Sequence, residues 1–311
     1  MDKSLYRDIL QEQIKNKHFY KINNNVPRGG IIIIIQNNDI HEVVDGSGWV
    51  HPGRKRQFVA LITNVLQKYR LEDCSIKINL GDIHVPGCFG FCRRTNDNNC
   101  FLLPNHRFTD DDIKLDNSGI KFINFNKQKD YIHTKHKQNQ INKVYTSCIP
   151  HKSKINYLEY ALNNQDICDG WAYTGDCHGK LHLSDQLHIL LKNNNMAGDY
   201  SHNWTKHLDY KYVLYNDGNA LSDRMRLLLC TNSIIIYKCL NYEEFYTHKL
   251  KNGVNYVTYN NETDIREIIK KNDETKEYDV IIDNNRHFVD TYLDYDQILL
   301  YTYLIIKEIC I

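Results

Sequence analysis

Between Lys211 and Tyr246 the chain reads KYVLYNDGNALSDRMRLLLCTNSIIIYKCLNYEEFY, and this stretch restricts the fold more than any other. A β-branched and aromatic run from Tyr212 to Tyr215 gives way to the turn residues Asn216-Asp217-Gly218-Asn219. Then Leu221, Met225, Leu228 and Leu229 fall at i, i+4, i+7 and i+8, one face of a helix, and a second apolar run follows from Ser233 to Tyr237. Strand, loop, helix, strand is the unit of an α/β protein. Ser222 and Asp223 open the predicted helix and Asn232 stops it. Such a unit aims the free N–H groups of the helix start at the crevice beyond the strand's carboxyl end, where phosphate binds well.

The remaining chain supplies material for a second core. At 311 residues it is long for one domain, and two are the better expectation. Arg28-Gly29-Gly30 leads into five isoleucines, Ile31 to Ile35, which predict a fully buried strand. A phosphate loop would need its glycines after the strand, and here they precede it. Phe58, Leu61, Ile62, Val65 and Leu66 give a helical stripe behind a basic start at Arg54-Lys55-Arg56, which is either a solvated face, the favoured reading, or a reach for an anion. Ser75 to Leu80 predicts a strand that delivers Asp82 at its carboxyl end. Residues 126–152 are polar and poorly periodic, as a linker would be.

Composition excludes several classes. Lys plus Arg total 39 against 38 Asp plus Glu, a net charge of +1, which argues against a nucleic-acid footprint. The first twenty residues are charged throughout and lack the apolar core of a signal peptide, and no apolar run is long enough to span a bilayer. These features predict a soluble cytoplasmic protein, in which ten cysteines are free thiols rather than a disulfide framework. Cys88, Cys92, Cys100 and His106 lack the paired spacing of a zinc site, as do Cys168, Cys177, His178 and His182, so no metal is expected.

The order Lys211-Tyr212, apolar strand, Asp217-Gly218, Ser222-x-Arg224, Ser233, Lys238, Glu244-Phe245 resembles the signature of glycosyltransferase family 90. That family comprises the protein O-glucosyltransferases and the capsule-associated xylosyltransferases. Similarity continues through NYVTY at Asn255 to Tyr259 and the segment Asn284 to Ile309, and upstream through INLGDIHVPGCFGFCRR at Ile78 to Arg94.

The resemblance implies an α/β, GT-B-like architecture of two Rossmann-like domains facing across a cleft. Residues 1–148 would be the acceptor side, and 149–311 the nucleotide-sugar side with the final helix, Gln297 to Ile309, packing back on the first. It implies an inverting transferase moving glucose or xylose from UDP-glucose or UDP-xylose to a glycan or protein hydroxyl, with no cofactor beyond that donor. Asp82 aligns with the family's candidate general base; a strand-ending Asp that caps a turn is the alternative, and His84 is an alternative base or an acceptor contact. Asp169 matches an acceptor-side aspartate. Donor contacts would come from Asp217, Gly218, Ser222, Arg224, Lys238, Glu244 and Phe245, with Glu244 on the ribose hydroxyls.

One departure matters. Where the family has Arg-Gly-Ser after the strand opening its second domain, alignment sets Leu158-Glu159-Tyr160 here, and a glutamate cannot replace a fixed positive charge. Arg224, Arg226 or Lys238 would then carry the diphosphate, or donor binding is weak. Two rivals follow: a glycan- or nucleotide-binding protein of this fold without turnover, and an unrelated Rossmann-like enzyme using another nucleotide.

Overall fold

The computed structural model describes residues 6–14, 20, 26–81, 85–95, 100–109, 124–150, 152–174, 183–198, 204–216, 222, 224–238 and 242–310. In chain order the first part holds α1 (Arg7–Ile14), β1 (Ile31–Gln36), β2 (Asp39–Asp45), α2 (Pro52–Lys68), β3 (Cys74–Ile78), β4 (Phe89–Gly90), β5 (Arg93–Arg94), β6 (Phe101–Leu102) and α3 (Phe125–Thr134). The second holds β7 (Ile141–Cys148), α4 (Lys152–Asn163), β8 (Cys168–Tyr173), α5 (Asp185–Asn193), β9 (Ala197–Gly198), β10 (Tyr210–Tyr215), α6 (Met225–Leu228), β11 (Ile234–Tyr237), β12 (Tyr242–Glu243), β13 (Val257–Thr258), α7 (Asp264–Thr275), α8 (Val280–Phe288) and α9 (Tyr295–Cys310).

The first sheet runs β2-β1-β3-β4-β6 and is mixed. Its strand β1 is antiparallel to both neighbours, while β3, β4 and β6 are parallel. This corrects the expectation of a Rossmann-like first half. The cause is local: Asn37 and Asn38, with φ of 53° and 60°, make a two-residue turn that returns the chain beside β1. Nor are the five isoleucines uniformly buried. Ile31, Ile33 and Ile35 reach the core, and Ile32 and Ile34 lie half-buried on the other face. The predicted stripe of α2 is found, with Phe58, Leu61, Ile62, Val65 and Leu66 buried and His51 accepting the Arg54 amide as N-cap.

The second sheet is parallel throughout, in the order β13-β11-β10-β7-β8-β9. Taken along the chain, this is the doubly wound order 3-2-1-4-5-6, with its reversal between β7 and β10. One face packs Val144, Cys168, Tyr212, Leu214, Ile234 and Ile236 against residues of α4, α5, α7 and α8. From the other, Val213, Tyr215 and Ile235 join a core that also contains Ile31, Phe58, Ile78 and Ile305. Apolar packing is therefore continuous from one sheet to the other.

Residues read as a linker form a helix and a strand instead. In α3 only Phe125, Gln128 and Ile132 turn inward, and β7 mixes Asn142, Lys143, Thr146 and Ser147 with its apolar residues, so neither shows a clean period. As β7 opens the parallel sheet, the boundary drawn at 148/149 falls at the end of that strand. The last helix, α9, packs on α1, α2 and β3, where the Tyr301 hydroxyl donates to the Leu102 carbonyl at 2.7 Å and accepts from Gln13 at 2.6 Å. Among the described residues no helix is long and apolar enough to cross a membrane.

Candidate functional site

In a parallel sheet the chains leaving adjacent strands diverge where the strand order reverses, and a crevice opens at their carboxyl ends. Here that point lies beyond Cys148 of β7 and Tyr215 of β10. From β7 the chain enters α4 within four residues; from β10 it continues through Asn216 into 217–221.

Arg224 spans this gap. Its Nη1 donates to the Ser147 carbonyl and its Nε to the Ser222 hydroxyl at 3.0 Å, while the Tyr215 hydroxyl donates to the Ser222 carbonyl at 2.7 Å. The remaining nitrogen, Nη2, is buried and has no hydrogen-bond partner among the described residues. Asn216 repeats the pattern: its Oδ1 accepts from Tyr259 at 2.9 Å, and its buried Nδ2 has no partner among the described residues. A buried donor left without an acceptor costs roughly 1–3 kcal/mol, so two at one crevice are a place where a ligand oxygen would be stabilised.

A third cationic or donor group comes from α4. Lys154 is 6% exposed, and it and Arg224 both lie close enough to the Cys148 thiol to oppose the upward push that burial gives that thiol. Sequence reading missed Lys154. It set the basic position at Leu158-Glu159-Tyr160, but these lie in the middle of α4, with Glu159 exposed in a groove facing α5. The signal that could have found it is the run Lys152-Ser153-Lys154 directly after β7.

The predicted donor residues divide. Ser222, Arg224 and Lys238 stand at or beside the carboxyl ends; Lys238 follows β11 and pairs with Glu262 at 3.3 Å. Glu244 lies away from the surface. It is 1% exposed, and its carboxylate accepts from Asn105 at 3.2 Å and from Tyr246 at 2.5 Å, inside the protein. Phe245 is equally buried and stacks on Tyr301 with centroids 4.6 Å apart, so both residues pack the two halves together. Arg226 is fully buried, bonded to Gln128 and set over Phe108 and Phe125, which removes it as a phosphate ligand.

Asp169 lies in β8 of the parallel sheet rather than on the first sheet. It accepts from the Tyr210 hydroxyl and from the Gly170 amide at 2.7 Å, beneath the stacked rings of Tyr145 and Tyr210. Asp82, His84, Asp217 and Gly218 lie outside the described residues.

The helix predicted to start at Ser222 is also shorter than its stripe. It spans Met225–Leu228, and Arg224 at its cap makes no side-chain cap bond. The Thr231 hydroxyl takes the Leu228 carbonyl at 2.7 Å and receives the Ser233 amide at 3.3 Å, which ends the turn before β11. One turn has little dipole to offer. The twelve-residue α4, starting directly beyond β7, is the long helix whose N-terminus follows a strand at the reversal.

A family model described as Glycosyl transferase family 90 matches residues 180–310. The match runs from before α5 to the end of α9 and takes in Ser222, Arg224 and Lys238. Through this part the chain is similar to glycosyltransferases, and more narrowly to glycosyltransferase family 90. Among 17 solved chains that match is one described as Crystal Structure of TarM, with 14% identity, a TM-score of 0.36, and coverage of 54% of this chain and 36% of that one. No curated protein matches the sequence significantly.

Proposed function

We propose that the protein is an inverting, metal-independent glycosyltransferase that moves glucose or xylose from a UDP-sugar to a hydroxyl acceptor. The observation that carries this reading is the pair of buried donors without a partner among the described residues, Arg224 Nη2 and Asn216 Nδ2, at the reversal point of a doubly wound sheet. Arg224 and Lys154 supply positive charge for the departing diphosphate, and α4 adds the N–H groups of its first turn. Ser222 holds the Arg224 guanidinium in place. Lys238, already paired with Glu262, is the outer cation.

Asp82 would take the acceptor proton as the hydroxyl oxygen attacks the anomeric carbon and the bond to UDP breaks. Attack from the face opposite the leaving group inverts the anomeric centre. The family-model match over residues 180–310 supports glycosyl transfer in general; the donor, acceptor and stereochemistry are this proposal's own.

The test is UDP release by purified protein given UDP-glucose or UDP-xylose with EDTA present, beside Asp82→Asn and Arg224→Ala. Removing a general base should lower kcat on the order of 100-fold or more. Loss of the Arg224 charge should weaken UDP binding roughly tenfold or more, as calorimetry would read it. Tight UDP binding with no release on any acceptor would favour a binding protein without turnover. Absence of UDP binding would remove the reading.

A further inference from the structure

A second cavity lies away from the β7–β10 crevice, at the carboxyl end of β3. It measures about 290 Å³ and is lined by Gly29, Trp49, His51, Arg54, Leu80 and Gly81. Its wall includes Trp49, which at 75% exposure is the most exposed large apolar side chain among the described residues. The other two tryptophans, Trp171 and Trp204, are each 7% exposed.

Trp49 is held rather than trailing in solvent. Its loop is tied to the turn before β1 by the Gly29 amide on the Ser47 carbonyl at 2.8 Å and the Gly46 amide on the Gly30 carbonyl at 2.9 Å. Gly29 and Gly48 carry φ of +70° and +85°, which a side chain would strain. The Trp49 ring rests edge-on against His51 with centroids 5.1 Å apart, leaving its surface open. An exposed indole fixed at the mouth of a small polar-rimmed cavity is unfavourable for a surface that binds only water.

Electrostatics select the occupant. The Arg54 guanidinium donates to the Leu80 carbonyl at 2.7 Å and lies over the Phe91 ring, and Lys55 pairs with Asp45 at 2.6 Å. The α2 start is already capped by the His51 ring, whose Nδ1 accepts from the Arg54 amide at 3.3 Å. Arg54 and Lys55 are thus engaged with the protein, and the cavity presents a flat apolar face beside polar edges. A neutral sugar ring has the complementary form: an apolar C–H face and a rim of hydroxyls.

We propose that this cavity is a glycan-binding site in which a sugar ring of the acceptor stacks on Trp49, with His51 and the Leu80–Gly81 backbone meeting its hydroxyls. The proposal rests on the transferase reading for the word acceptor. It narrows that acceptor to a carbohydrate, since Leu80 and Gly81 directly precede Asp82 in the chain.

With its companions buried, Trp49 should dominate the iodide-quenchable tryptophan fluorescence, so occupancy can be read without turnover. The experiment titrates the full chain with cello-, xylo-, manno- and malto-oligosaccharides and, separately, with UDP, recording iodide quenching and, by calorimetry, heat. Expected is saturable protection of Trp49 by at least one oligosaccharide series. Trp49→Ala should weaken that sugar's binding about tenfold or more by calorimetry, and Trp49→Phe should recover most of it.

If no series protects Trp49 while UDP binds, the glycan site is overturned and the transferase reading stands. If a sugar protects Trp49 and UDP does not bind, the glycan site stands and the transferase reading falls. Protection of Trp49 by UDP alone would assign the cavity to a nucleotide and overturn the proposal.

Discussion

Arg224 and Arg226 stand two residues apart and have opposite surroundings. Arg224 bridges the ends of β7 and β10; Arg226 is fully buried against Gln128, Phe108 and Phe125. Arg224→Met should therefore weaken UDP binding roughly tenfold or more, with little change in urea midpoint. Arg226→Met should move the midpoint and leave UDP affinity near that of the parent, because a buried cation chiefly affects packing and desolvation. The family pattern made Arg224 stand out, but a string of letters cannot tell a buried motif residue from an open one, and Glu244 and Phe245 lie inside the protein. His136 gives a pH prediction. Burial first, then the neighbouring His133 imidazole, hold its pKa at about 4 rather than 6.5, against the upward pull of its bond to the Cys230 carbonyl. Between those values the unfolded chain binds a proton that the folded one does not, so stability falls as pH drops from about 6.5 to about 4. Solvent screening at this half-buried ring holds the loss to roughly 1–2 kcal/mol. Urea unfolding across that range should show the slope, and His136→Asn should flatten it.

At the level of elements, legibility followed periodicity. The stripe of α2 repeats every three to four residues and was readable, whereas β7 and α3 bury few side chains among many polar ones and were not. The Leu221–Leu229 stripe promised a helix, but side-chain bonds at Thr231 and the nearby start of β11 leave only one turn. Assigning the helix N-terminus of the site to α4 yields a paired prediction. Lys154→Gln should weaken UDP binding, since Lys154 sits beside Cys148 at the end of β7. Glu159→Arg, which returns a positive charge to the segment aligned with the family's Arg-Gly-Ser, should change that affinity little, because Glu159 opens on the groove towards α5. Calorimetric titration of both variants with UDP checks the pair; a gain from Glu159→Arg would return the site to the middle of α4. Docking of α9 is equally testable. Tyr301→Phe removes the donor to Leu102 and the acceptor for Gln13, two buried bonds, and should cost about 1–3 kcal/mol in denaturant unfolding.

The molecule as a whole departs from two independent Rossmann-like units. Its parallel sheet carries the doubly wound order, but the first sheet is turned antiparallel at β1, and one apolar core runs through both. Long-range packing of this kind leaves no local sequence signal: Phe245 meets Tyr301, Asn105 meets Glu244, and Arg93 meets Glu243 at 2.6 Å across the β5–β12 pair. The final helix closes the arrangement, since α9 comes last in sequence yet covers α1, α2 and β3. A fragment ending at Gln140 would lack that cover and present the apolar face of α2 to water. Folding should therefore be cooperative across the chain, with one calorimetric transition whose van't Hoff and calorimetric enthalpies agree. Ile305→Ala, at a fully buried position of α9, should lower that single transition by about 2–5 kcal/mol without splitting it. Two resolved transitions, with only the first moved by Ile305→Ala, would mean that the halves fold separately and that the shared core is a contact between finished domains.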